Sequence, residues 1–160
     1  MSAITIVNET PVTVEITDPD TGDVEVIEVY ERGAPGLDGN TDGVVEAFLA
    51  STILSALRLV YANDDGKLAY ADKDNIESAK RVAGMTLTSA IADAALDVLL
   101  LGTHEDQNWS WNMDGNRALF LGASGVIVQG APSGAAIMRV GTALSPTKIL
   151  LRLGEPVLSA

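Results

Sequence analysis

Three features of this sequence predict a mainly β fold. Short apolar runs alternate with polar residues at a period of two. Clusters of Asp, Asn, Gly and Pro separate those runs at close spacing, as turns do. Aromatic residues make up only 4% of the chain while 47% is apolar, so the core must be built from Val, Leu, Ile and Ala. The predicted architecture is an N-terminal β-hairpin over 1–32, a short Gly-X-Y linker over 33–43, and a small β-barrel or sandwich over 44–160. A length of 160 residues accommodates such a domain with an appendage and buries a sizeable core.

The N-terminal element comes first. "AITIVNETPVTVEITD" alternates through Ile4 and Ile6, then through Val12, Val14 and Ile16. "DPDTGD" (Asp18 to Asp23) is a turn cluster, and "VEVIEVY" alternates again with Val24, Val26 and Tyr30 on one side. Two alternating runs around a Pro/Gly/Asp turn read as a hairpin. An isolated hairpin is marginal in water, so this one needs a partner. Three close aspartates with a glycine resemble a calcium loop, but Val29 stands where the twelfth position requires a bidentate Glu. A solvated turn is the better reading.

The linker follows. Gly33, Gly36 and Gly39 repeat every third residue, with Pro35 inside the first triplet, and Asp42 then breaks the period. The spacing fits a plain Gly/Pro linker. It also fits a short three-chain stem, because only Gly fits at a three-chain axis.

The remainder is a succession of short elements. Val44, Val45, Phe48, Leu49, Thr52 and Ile53 recur at helical spacing behind Asp42, so this ambiguous segment admits a short helix near 43–53. "ALRLVYA" and "KLAYAD" read as strands around the tight turn Asp64-Asp65-Gly66, with "KDNIESAK" a loop or single turn. "RVAGMTLTSA" is a strand in which Gly84 is a bulge candidate. "IADAALDVLLLG" fits helix or strand, and a turn followed by the strand "LDVLLLG" matches the pattern of its neighbours. "THEDQNWSWNMDGNRALFLG" is a polar loop enclosing Trp109 and Trp111. "ALFLGASGVIVQG" and "AIMRVGTALSPTKILLRLG" each give two strands around a turn.

Charge and composition exclude several classes. Net charge is −12. It is concentrated in residues 1–42, which hold ten acidic residues against one arginine, whereas 43–160 hold twelve against nine basic ones. An acidic field of this kind repels nucleic acid and anionic membrane. No cysteine is present, which removes disulfides, zinc-thiolate sites and thiol nucleophiles. The start has no basic segment and no long apolar run, unlike a signal peptide, and "DVLLLG" is too short to span a bilayer. His104, the one histidine, sits among Thr103, Glu105 and Asp106 and reads as a surface-loop residue. Ser110 lies near it without a GxSxG elbow. No phosphate-binding glycine loop, HExxH or selectable carboxylate pair is present. No enzyme activity, cofactor or metal is expected. Trp109 and Trp111 share one face if extended. Packing is favoured over a glycan platform, because aromatics dominate buried contacts.

"SALRLVYANDDGKLAYADKDNIESAKRVAGMTLTSA", the Trp109-Ser110-Trp111 loop and the "LGASG" turn flanked by strands carry a family resemblance. From about Ser55 onward the chain resembles the C-terminal β domain of tailed-phage virion fibres and capsid-decoration proteins. The resemblance implies a non-enzymatic virion structural protein, made in the host cytoplasm and placed on the particle exterior. It implies a homotrimer, with the major capsid protein or another virion protein as partner. The stem is where this chain departs, having three triplets where family members often carry many. That favours a short head-fibre or cement protein over a long shaft. The alternative is a tail-fibre or receptor-binding module. On the first reading Ile4, Ile6, Val24, Val26, Tyr30, Gly33, Gly36 and Gly39 would serve anchoring and assembly.

Overall fold

The structure is a computed structural model. It describes the backbone of residues 4–7, 12–17 and 24–29, and residues 40–159 in full. The chain divides into two compact units, Met1–Gly36 and Leu37–Ala160.

In the first unit the predicted hairpin is a three-stranded antiparallel sheet. Its strands β1 (Ile4–Val7), β2 (Val12–Thr17) and β3 (Val24–Val29) are ordered as in the sequence. Ile4 pairs with Ile16 and Ile6 with Val14. Val24 pairs with Thr17 and Val26 with Glu15. The stretch read as one alternating run thus folds back on itself. The Asp18–Asp23 turn, Tyr30, Gly33, Gly36 and Gly39 lie outside the described residues.

The second unit opens with β4 (Thr41–Leu49). The helix admitted near 43–53 is therefore a strand, which begins ahead of the boundary expected at 44. Strands β5 (Leu59–Ala62) and β6 (Leu68–Tyr70) flank a turn whose Asn63 Oδ1 accepts from the N–H groups of Asp65 and Lys67, both at 3.0 Å. This is an Asx turn, and Gly66 at φ +75° completes it. The segment read as a loop or single turn contains a five-residue helix, α1 (Ile76–Lys80), capped by Asn75 Oδ1 accepting from Ser78 N–H at 3.1 Å. Strand β7 (Val82–Thr86) carries the predicted irregularity: pairing with β5 moves from Gly84 to Val82 and skips one residue.

Strand β8 (Ala95–Glu105) is the hub. Along one edge it pairs with β4 from Ala95 to His104. A strand has two edges, so its other partners share the second one. There β7 takes Val98 and Leu99, and β13 (Lys148–Leu151) takes Gly102–Glu105. From β13 the sheet continues through β12 (Arg139–Ser145) and β9 (Ala118–Leu121) to β10 (Ile127–Gln129). In the other direction β7 leads through β5 to β6. Two short strands, β11 (Ala136–Ile137) and β14 (Val157–Leu158), form a separate pair.

The forked sheet holds two apolar clusters. One gathers Leu59, Met85, Leu99, Leu119, Leu121, Val140, Ile149 and Leu151; the other gathers Leu54, Val60, Leu68, Leu96 and Val98. Consecutive residues of a strand point to opposite faces. Leu59 and Val60, like Val98 and Leu99, therefore feed different clusters from one strand. At about 25 cal/mol per Å2 of apolar surface removed from water, these aliphatic side chains supply the main drive for folding.

Candidate functional site

The Trp109–Trp111 segment leaves the sheet at the end of β8. Side chains and backbone pin it at both ends. Asp106 Oδ1 accepts from Asn108 N–H at 2.8 Å, and Trp111 N–H donates to the Pro146 carbonyl at 2.8 Å. Gln129 anchors the far end: its Oε1 accepts from Asn112 N–H at 2.9 Å, and its Nε2 donates to the carbonyls of Asn112 and Asn116. Both tryptophans are half-buried and pack against the larger apolar cluster, whereas Ser110 between them is exposed. Their ring centroids lie 5.6 Å apart at 52°. The Trp111 indole Nε1 is buried without a hydrogen-bond partner. A buried unpaired donor costs about 1–3 kcal/mol, which the packing of the ring has to offset. The rings thus help cover the core. A sugar-stacking platform needs exposed aromatic faces, and here each ring is partly buried against the core.

His104 corrects a sequence expectation. It is buried at 7% exposure within β8. Its Nδ1 lies 2.7 Å from Thr41 Oγ1 on β4, and its ring meets Trp109 edge-on at 78° with centroids 5.6 Å apart. Burial holds its pKa below the ordinary histidine value, and the Asp106 carboxylate opposes that shift in part. The polar stretch expected as a loop from Thr103 is still strand β8 as far as Glu105, and a β-bulge sets the side to which His104 turns. Val44 pairs with Leu101 but Val45 with Leu99, so Leu100 is an extra residue in β8. Alternation counted from Leu99 places His104 outside. The extra residue reverses the phase and turns His104 to the side of its β13 partner Ile149, a core residue.

The same bulge shapes the start of β4. Gly43 faces Gly102 across the two strands, at φ +154° and +136°. A Cβ at Gly43 would overlap the Leu101 carbonyl, and one at Gly102 the Asp42 carbonyl. Just beyond this crossing, the paired residues Val44 and Leu101 are 50% and 49% exposed. Sequence spacing alone does not reveal this pair, because it is defined by the register between two strands about fifty residues apart.

Cationic side chains gather elsewhere. Arg139, Thr142, Leu150, Arg152 and Gly154 line an open groove of about 360 Å3 on β12 and β13. Arg139 donates to Thr142 Oγ1 at 2.8 Å. Among the described residues the ion pairs are Lys67–Asp93, Lys73–Asp74, Lys80–Glu77 and Arg81–Asp64, all at the surface and none involving the groove. Such pairs contribute little to stability. No cluster of three His, Asp or Glu suited to a metal occurs among the described residues. Nor is any described helix long and apolar enough to cross a membrane. In comparison with known proteins, the chain matches no family model and no curated protein.

Proposed function

We propose that this chain is a structural protein of a tailed-phage virion, decorating or stabilising the capsid exterior as a short head-fibre or cement protein. The observation that carries this reading is the division of the chain. A unit of residues 1–36, whose described residues are β-strands and which has eight acidic residues against one arginine, precedes a separate, mainly β unit of residues 37–160. Three Gly-X-Y triplets stand at the boundary between them. On this reading the acidic unit grips the major capsid protein or another virion protein. The triplets gather three chains, and the second unit is the outward knob. Contact between strands and apolar surfaces does the work, without catalysis or a cofactor.

The alternative, a tail-fibre module reading host glycan, draws no support from the tryptophans, whose rings are engaged with the core. Copy number in purified particles tests the choice, measured by quantitative mass spectrometry against the major shell protein. A copy number of the same order as the shell protein is the expected result. A number far below it assigns the chain to the tail or a vertex and overturns the decoration reading.

A further inference from the structure

Strand β4 is nine residues long and pairs through one edge only, among the described residues. Its outer edge presents backbone N–H and C=O groups that pair with no described strand. Such an edge is open to further pairing, and short strands, proline, bulges and charged side chains blunt it. β4 is long and has neither lysine nor proline, and its charges are the two exposed carboxylates Asp42 and Glu46.

The apolar centre of this surface is the pair Val44 and Leu101. Cross-strand partners stand with Cβ atoms about 5 Å apart, so the two side chains form one patch. Neither belongs to the two core clusters of the described residues, and each is about half exposed. By strand alternation, Asp42 and Glu46 flank Val44 on the same face. An apolar centre with a polar rim is the ordinary build of a protein interface.

We infer that the corner of β4 and β8, built on Val44 and Leu101, is the surface through which copies of this chain pack on one another. The inference rests on the three-chain reading proposed above, which makes the occupant a second copy, and chain length keeps the surface close to the triplets. The last Gly of the Gly-X-Y run, Gly39, is five residues before Val44. An extended chain spans at most about 3.6 Å per residue, so Val44 lies within about 18 Å of the end of that run. Chains that meet at the triplets bring their Val44 and Leu101 patches within that distance of a common axis. Burial there removes from water the two apolar side chains that the isolated unit leaves half-exposed.

Sedimentation of the full chain and of the double variant Val44→Asp/Leu101→Asp tests this. The expected result is a trimer for the native chain and a monomer for the variant, with unchanged far-ultraviolet circular dichroism. A variant that stays trimeric overturns the inference and leaves the three-chain reading standing. A native chain that is monomeric overturns both. A native assembly of another size that the variant dissolves supports the surface and overturns the count of three. If the charged variant fails to fold, Val44→Ser/Leu101→Ser replaces it. Association weakened about tenfold or more, equivalent to about 1.4 kcal/mol, supports the surface; unchanged association overturns it.

Discussion

Burial of His104 between Thr41 and Trp109 makes one side chain a reporter of how β4, β8 and the tryptophan loop close together. Its pKa is held below the ordinary value of about 6.5 by burial, with Asp106 opposing. The unfolded chain therefore takes up the proton at a higher pH than the folded one. Stability from the neutral ring is fully present above the unfolded value. It falls as pH drops from about 6.5 toward the lower folded value. Thermal midpoints measured between about pH 7.5 and 5 should therefore fall more for the native chain than for His104→Gln, whose amide does not titrate. Equal falls would mean that carboxylates alone set the acid response.

At the scale of elements, the pairing of β4 with β8 decides the architecture of the second unit. Gly43 and Gly102 let the two backbones approach more closely than any side chain permits. Both also hold positive φ, which L-residues adopt only under strain. Gly102→Ala is predicted to destabilise the unit by about 2 kcal/mol or more, combining overpacking with backbone strain. Denaturant midpoints at an unchanged slope measure it, and a loss well under 1 kcal/mol would show that the crossing relaxes freely. The strand identity of β4 was hidden in the sequence for a related reason. Val45 packs against one cluster and Phe48 against the other. A strand apolar on both faces mimics the three-and-four spacing of a helix. Only a partner strand with cores on either side distinguishes the two.

For the whole molecule, the two units make separate demands on the chain. Every buried apolar residue among those described falls at or after Ala50, and the second unit begins at Leu37. Residues 37–160 are therefore predicted to fold without residues 1–36, with a cooperative thermal transition and the β circular dichroism of the second unit. A fragment that is disordered in solution would show that the acidic unit completes the fold. The acidic unit carries a net charge of −7 on 36 residues. Removing it takes away most of the charge of the chain along with the proposed capsid grip.

The β class, most strand positions, the turns at Asn63–Lys67 and Ser145–Thr147, and the bulge near Gly84 were legible in the amino-acid order alone. These depend on local chemistry: alternation, amide side chains that bond their own backbone, and glycine where φ must be positive or backbones crowd. Tertiary structure alone decided three other features. It made residues 41–49 a strand, turned His104 inward past the Leu100 bulge, and left Val44 and Leu101 bare on the corner of β8. Each depends on register between strands far apart in sequence, and one extra residue in a strand exchanges its inner and outer faces.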